Sequence, residues 1–293
     1  MTWTRLYPWM LRAGWVALPF AAGPAFGAAL HPHSEAVRLA ATVVLWAPWA
    51  VVLVGTLVPH PLGLTALRLF APAALAAAAA AAGTGRPSGL AAVAAVVLAG
   101  ADVVLAFTPA TGALYANGPA YPNERRYPLR PPGPLLLGPL ELSWAVTVGA
   151  PVAGVLLLAA RAWVAGAIVV VMGSALAWVL GRSLHSLSRR WVVFVPAGVV
   201  LHDPLALLDP VLFPRTMIEA LRPAPADSDS LDLTQGALGL AVELVLLQKI
   251  DMTRVKPGRL AGEQGASGRL LFTPTRPGQV LAEAGRRRVP VGS

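Results

Sequence analysis

The sequence predicts an α-helical membrane bundle of six transmembrane helices, followed by a small antiparallel β domain that one helix closes. Hydrophobic residues make up 56% of the 293 residues and charged residues only 13%, whereas soluble domains are charged at about a quarter of their positions. The apolar residues form blocks of about eighteen or more, the length that a helix needs to cross hydrocarbon. After about residue 190 the apolar runs become short and β-branched and alternate with turns, which predicts strands.

The predicted spans follow from the apolar blocks and the polar breaks between them. Only Arg161 and Ala162 separate the last two blocks, so this spacing also allows one long helix, although the apolar content on both sides favours two crossings. Pro19 and Pro24 lie inside the first span, and neighbouring helices are expected to satisfy the carbonyl groups that these prolines free. The spans cover about residues 9–30, 39–58, 62–82, 89–107, 140–160 and 163–180, within a transmembrane domain at 1–188 and before a β-rich domain at 189–293.

Arginine residues predict the orientation, because Lys and Arg flanking a span are retained on the cytoplasmic side. Nine arginines fall on one side of the predicted topology and three on the other. We therefore expect a cell (inner or plasma) membrane protein with both termini in the cytoplasm. The larger group is Arg5, Arg12, Arg68, Arg125, Arg126, Arg130, Arg182, Arg189 and Arg190, and the smaller group is Arg38, Arg86 and Arg161.

Three ionisable residues are expected in one layer near the cytoplasmic interface. Asp102 lies late in the fourth span, and Arg68 and Glu141 open spans that run in the opposite direction. An acid inside hydrocarbon costs on the order of 3 kcal/mol or more, so it needs a function or a partner. This cluster predicts either a site that couples protons or substrate, or an ion pair that holds helices together, and the ion pair is favoured.

Residues 108–134 form the longest break between spans, and they are rich in proline and tyrosine. Proline favours extended and turn conformations, so no helix is predicted here. The favoured interpretation is a connector lying on the membrane surface. The alternative is a segment that docks an anionic lipid head group or the C-terminal domain, for which the candidate residues are Arg125, Arg126, Arg130, Arg189 and Arg190.

The tail begins with a predicted β-hairpin, since Trp191–Val195 and Val199–His202 flank the turn Pro196-Ala197-Gly198. Asp before Pro, as at Asp203 and Asp209, favours the start of a turn rather than a catalytic role. Further strands are expected at about 211–213, 217–221 and 270–272, a flexible loop at 256–268 and an amphipathic helix at 277–288. Residues 238–250 could form a long strand or a helix, and the strand is favoured.

The segment RRWVVFVPAGVVLHD, residues 189–203, resembles the opening of bacterial pleckstrin-homology-like domains carried by multi-pass membrane proteins. The resemblance covers about residues 189–288. It implies an antiparallel sheet of about six strands closed by a helix, a role in interaction or oligomerisation, and no catalytic residue. The whole chain also resembles a family of integral membrane proteins of high-GC bacteria, and no activity follows from that resemblance.

The motifs of common enzymes and metal sites are absent from the sequence. There is no cysteine, which excludes disulfides, thiolate nucleophiles and Cys-type zinc sites. His31, His33 and Glu35 fit a polar turn better than a metal site, and no nucleophile elbow, HExxH or phosphate-binding loop accompanies His202. We therefore expect no catalysis, no cofactor and no metal.

Two functions remain open at this point. The favoured one is a non-catalytic, membrane-anchored interaction or scaffolding protein that contacts the lipid bilayer, anionic lipid head groups and a protein partner or a second copy. The net charge of +9 needs no nucleic acid, because juxtamembrane arginines face anionic lipid. The alternative is a small transporter or lipid-handling protein that uses the polar cluster near the cytoplasmic leaflet.

Overall fold

The computed structural model describes residues 3–255 and 262–292, with side chains from Leu6 onward. The chain divides into two compact units. The helical unit contains the residues up to 115 together with 141–185, and the β unit contains 116–140 together with 186–293. The β unit thus takes part of its chain from the loop after the fourth span, in addition to the tail.

Six helices of the described chain are long and apolar enough to cross a membrane, which indicates a multi-pass membrane protein as the sequence predicts. These are α1 to α4, α6 and α7. Ser34 and Ser88 begin α2 and α4 as N-caps, because their hydroxyl groups accept backbone N–H groups of the first turn. The helices are α1 (Trp3–Leu30), α2 (Glu35–Leu57), α3 (Pro61–Gly83), α4 (Gly89–Phe107), α5 (Pro109–Asn117), α6 (Pro139–Ala159), α7 (Trp163–Leu187) and α8 (Pro277–Arg286).

The last two spans are separate helices joined by a tight turn at residues 160–162. Arg161 adopts a left-handed conformation with φ of 65°, and the N–H of Ala162 bonds to the carbonyl of Leu157 at 2.9 Å. Gly166 lets the helices approach closely, since a Cβ there would lie 2.8 Å from the Leu158 side chain. The alternative of one long helix is therefore wrong.

A pair of tryptophans joins α1 to α2 at a proline. Pro19 has no N–H, so the carbonyl of Trp15, four residues earlier, lacks its partner within the helix. The indole N–H of Trp49 donates to this carbonyl at 2.8 Å, and the indole N–H of Trp15 donates to the carbonyl of Trp49 at 2.9 Å. The expectation that a neighbouring helix satisfies the carbonyl freed by Pro19 is confirmed.

Replacing Trp49 by Phe is expected to lower the free energy of unfolding of the helical unit by about 0.6–1.7 kcal/mol, the range for a hydrogen bond between helices in lipid. The reason is that the Trp15 carbonyl loses its donor. Thermal unfolding of the purified protein in detergent measures the change. Trp163→Phe is the matched control, because Trp163 is 64% exposed. Equal effects of the two substitutions would contradict the prediction.

The β unit contains two four-stranded sheets and α8. The first sheet has the order β1-β2-β3-β4 and is antiparallel, and the second has the order β5-β7-β8-β6, in which only the β6–β8 pair is parallel. The strands are β1 (Arg125–Pro128), β2 (Trp191–Val195), β3 (Gly198–His202), β4 (Val211–Pro214), β5 (Ile218–Pro223), β6 (Leu231–Asp232), β7 (Val242–Arg254) and β8 (Glu263–Phe272).

Both sheets and α8 share one apolar core, with α8 contributing Val280 and Ala284. The rings of Tyr127 and Phe194 meet edge to face in this core, with centroids 5.8 Å apart. Tyr127 belongs to β1, so the loop between the spans supplies part of the core as well as an edge strand. Other members are Val192, Val199, Leu201, Phe213, Leu221, Leu244, Leu270 and Phe272.

Two local expectations were wrong. The prediction of no helix in 108–134 fails at α5, because Pro109 occupies the first helical position, where a missing N–H costs nothing. The expected flexible loop at 256–268 fails at residues 263–268, which belong to β8 and pair with β7. That strand is rich in glycine and polar residues, so it carries no apolar alternation. Residues 256–261 of the expected loop lie outside the described residues.

Candidate functional site

Two arginines that the sequence predicts on the cytoplasmic side bind the ends of helices. The side-chain Nε of Arg12 donates to the carbonyl of Thr56 at 3.0 Å, and that of Arg68 donates to the carbonyl of Ala106 at 3.4 Å. These carbonyls lie in the last turns of α2 and α4, where no intrahelical donor is present. A positive charge at a helix C-terminus is favourable, so both contacts stabilise the bundle.

Asp102 lies in the interior of the helical unit and is 1% exposed. Among the described residues, neither carboxylate oxygen of Asp102 has a hydrogen-bond partner. Gly14 of α1 packs directly against it, since a Cβ added at Gly14 would overlap Asp102 Oδ1. The carboxyl group therefore lies in an apolar interface between α1 and α4.

The structure does not join the three predicted cluster residues as an ion-pair network. Within the described chain, Arg68 makes no ion pair with Asp102, and its guanidinium lies 5.6 Å from the centre of the Phe107 ring. Glu141 is exposed in the first turn of α6. The Asp102 oxygens thus accept no described hydrogen bond from the arginine with which the sequence grouped it.

A polar node that the sequence analysis missed lies near Asp102 in the chain, at the end of α4. The Tyr7 hydroxyl bonds to the Leu105 carbonyl and to the Thr111 hydroxyl, both at 3.0 Å. The Thr111 hydroxyl donates to the same carbonyl at 2.7 Å. A tyrosine in an interfacial aromatic segment gives no sequence signal of such a contact, because the partner is about a hundred positions away.

A buried ion pair holds the two chain segments of the β unit together. Arg190 binds Asp203 with two hydrogen bonds, Nε to Oδ1 at 2.7 Å and Nη2 to Oδ2 at 2.6 Å, and its Nη1 donates to the carbonyl of Arg130 at 2.7 Å. The side chains of the pair are 2% and 1% exposed. Asp203 also accepts the N–H of Leu205, consistent with the predicted turn. Arg190 is therefore an internal residue and is unavailable to lipid.

The outer face of the first sheet carries a shallow depression lined by aromatic and charged side chains. The guanidinium of Arg126 lies 5.2 Å from the centre of the Trp191 ring, and the His202 ring stacks on Trp191 with centroids 5.2 Å apart. Arg189 is exposed at its edge and has no acidic partner in the described part of the chain. We call Arg126, Arg189, Trp191 and His202 the outer basic face.

The charges on this face are unevenly balanced. Hydrogen bonds from Arg126 hold the pKa of Glu124 below its ordinary value, so these two charges compensate each other. Burial, together with the nearby Arg189 and Arg126, lowers the pKa of His202 despite the opposing effect of Asp203, so His202 is neutral at neutral pH. Arg189 is left as the uncompensated cation of the face.

The five arginines expected to dock lipid or the C-terminal domain thus have different positions. Arg190 is buried, and Arg130 contributes its carbonyl to the buried pair. Arg125 is exposed on β1, Arg126 lies against Trp191, and Arg189 is exposed after α7. Strand alternation is a signal that could have separated them, because Arg190 shares a parity with Val192 and Phe194, which point into the core.

Comparison of the chain with protein families, curated proteins and solved structures yields no match. Among residues 3–255 and 262–292, no group of three or more His, Asp or Glu residues is arranged to hold a metal ion. The candidate sites are therefore the buried Asp102 and the outer basic face, and both are identified from the structure of this chain alone.

Proposed function

We propose that the protein is a non-catalytic, membrane-anchored interaction protein whose β unit lies in the cytoplasm and binds anionic lipid head groups through the outer basic face. The observation that carries this proposal is the composition of that face. Arg189 is an exposed cation with no acidic partner among the described residues, and Arg126 is held over Trp191 beside a neutral His202. Such a surface attracts a phosphate group.

The position of Arg189 in the chain supports a lipid as the ligand. Arg189 follows Leu187, the last residue of α7, by two positions, which is at most about 7 Å along the chain. Since α7 is a candidate span, Arg189 closely follows a membrane-spanning segment in the chain. A Lys or Arg near an anionic membrane surface contributes about 1 kcal/mol of binding.

The connectivity of the β unit supports permanent anchoring. Its two segments are separated in the chain by residues 141–185, which contain most of the α6–α7 hairpin. The unit is therefore connected to candidate spans at three points. Two sheets around a shared core with α8 support the finer proposal of a pleckstrin-homology-like fold.

Replacing both Arg126 and Arg189 by Gln is expected to weaken binding of an anionic lipid by about tenfold or more, because it removes the uncompensated cation of the face and leaves the charge of Glu124 without its partner. The full-length protein in mild detergent is titrated with dioctanoyl phosphatidylglycerol, and binding is followed by native mass spectrometry. Arg269→Gln is the matched control, because Arg269 is exposed on β8 of the other sheet.

Arg189→Gln alone also tests the proposal without disturbing the Arg126–Glu124 ion pair, and it is expected to give part of the loss. Dioctanoyl phosphatidylcholine, which has no net charge, should bind weakly in every variant. Equal binding of the two lipids, or an unchanged affinity in the double variant, would overturn the proposal.

A further inference from the structure

Asp102 is a buried ionisable group of the helical unit that the proposed function does not use. It is 1% exposed, and no donor of the described chain reaches its oxygens. Two other helices, α1 and α3, pack against α4. On the side of α1 the contact is made by Gly14, which has no side chain to offer.

The charged groups of the neighbouring elements are engaged elsewhere, and the buried Tyr115 hydroxyl makes no described hydrogen bond. On α1, Tyr7 bonds to the Leu105 carbonyl and Arg12 to the Thr56 carbonyl. On α3, Arg68 bonds to the Ala106 carbonyl. On α5, Tyr115 lies against Gly63 of α3. None of these groups makes a described hydrogen bond or ion pair with Asp102.

An isolated carboxylate in such surroundings is strongly unfavourable, because neither water nor a donor replaces its hydration. A metal cation would compensate the charge, but Ca²⁺ or Mg²⁺ requires about six oxygen ligands. No cluster of three or more ligating side chains is present among the described residues. A proton is the ligand that the site accommodates without further groups.

We propose that Asp102 is a proton-binding site whose ionisation opens the contact between α1 and α4. In the packed bundle the carboxyl group is neutral. When its O–H bond breaks, the electron pair stays on the carboxylate and the proton passes to water. That water needs space next to the oxygens, and Gly14 occupies this space. Ionisation therefore requires α1 to move away from α4. This inference concerns the helical unit alone and is independent of lipid binding by the β unit.

A hydrophobic carbodiimide tests the protonation state directly, because it reacts with neutral carboxyl groups in apolar surroundings. The full-length protein in lipid nanodiscs is treated with dicyclohexylcarbodiimide, and the adduct is located by tandem mass spectrometry. We expect an adduct on Asp102 that forms faster as the pH is lowered. Asp102→Asn should lack this adduct, and Glu141→Gln, the control with another membrane-domain acid removed, should retain it. Absence of an Asp102 adduct at every pH would overturn the proposal.

The absence of native cysteine allows a second measurement of the opening itself. Ala99 is fully buried on the same face of α4, one turn before Asp102. A single-cysteine Ala99→Cys variant is labelled with a water-soluble methanethiosulfonate. Thr216→Cys, exposed in the β unit, corrects for the general rise of thiolate with pH.

The ratio of the two labelling rates is expected to rise between about pH 5 and pH 9, by at most about tenfold per pH unit, since one proton is released. The rise should disappear when Asp102→Asn is added. A ratio that is independent of pH in the unmutated background would overturn the coupling of ionisation to opening. The carbodiimide result needs no substitution, so a misfolded variant cannot account for it.

Discussion

Replacing Arg190 by Ala is expected to destabilise the β unit by about 3–5 kcal/mol, the cost of removing one partner of a buried ion pair. Asp203, which is 1% exposed in the intact pair, would be left with its charge uncompensated. The substitution also removes the hydrogen bond to the carbonyl of Arg130, which joins the loop between the spans to the tail. Both losses act where the loop between the spans meets the tail. We therefore expect β1 to detach from β2 before the rest of the β unit unfolds.

Hydrogen–deuterium exchange of the full-length protein measures this loss, because backbone amides of β2 and β3 report opening of the first sheet. Asp203→Ala should have a similar effect. The double variant Arg190→Met with Asp203→Leu should recover much of the stability, since no buried charge is left. Arg215→Ala, at an exposed arginine, is the control. Unchanged exchange in Arg190→Ala would contradict a structural role of the pair.

The second large effect is expected at Glu243 of β7. This carboxylate is 1% exposed, and it accepts hydrogen bonds from Ser228 at 2.7 Å, Ser230 at 2.5 Å and Arg222 at 2.7 Å. Burial raises the pKa of Glu243, but these hydrogen bonds outweigh burial and lower the pKa to about 2. Glu243→Gln is expected to lower the stability of the β unit by about 1.5–3 kcal/mol at neutral pH, as for hydrogen bonds to a charged group.

The pH dependence of this effect has a definite sign. Because the folded-state pKa lies below the ordinary value of 4.5, the contribution of Glu243 is fully present above about pH 4.5. It is lost as the pH falls from there through about 2. The stability difference between the wild type and Glu243→Gln should therefore shrink over this window.

Denaturant unfolding at several pH values, followed by exchange of the β7 and β8 amides, tests this dependence. Glu219→Gln is the matched control, because Glu219 is exposed on the neighbouring strand β5. A difference that stays constant from neutral pH to pH 2 would show that the charge of Glu243 does not stabilise the fold.

Local patterns predicted the elements whose partners lie close in the chain. The β2–β3 hairpin is one case, in which Trp191 pairs with His202 and Val195 with Gly198. The turn residues and the apolar runs on either side are therefore sufficient to predict it. The long helices are another case, since length and apolar content suffice to predict a span. The predicted strands at 211–213 and 217–221 lie within or overlap β4 and β5 for the same reason.

The β1 strand is an element that local sequence patterns do not predict. Its residues, RRYP, include a proline and two arginines, and no four-residue segment of that kind predicts a strand. It becomes one because Arg125 pairs with Phe194 and Tyr127 with Val192, more than sixty positions later. The favoured interpretation of a surface connector therefore lacked the partner strand that gives the segment its structure.

The candidate sites also have some features that the sequence predicts and others that depend on tertiary contacts. An acid in an apolar block identifies Asp102 from the sequence, because such a residue is costly and rare. That it makes no ion pair with Arg68 could not be predicted, because Arg68 finds its partner in a carbonyl at the end of α4. Likewise, Arg189 and Arg190 are adjacent and identical in type, yet one is exposed and the other is 2% exposed in an ion pair.

The sequence by itself determined that the chain crosses a membrane several times and continues into strands. The reason is that the length and the period of apolar runs are local properties of the sequence, and burial of the side chains requires them. Only the tertiary structure decided that a loop between spans completes the first sheet, that Arg190 is internal, and that Gly14 covers Asp102. These features depend on contacts between distant segments, and shape complementarity and hydrogen-bond geometry select such contacts only when the whole chain is packed.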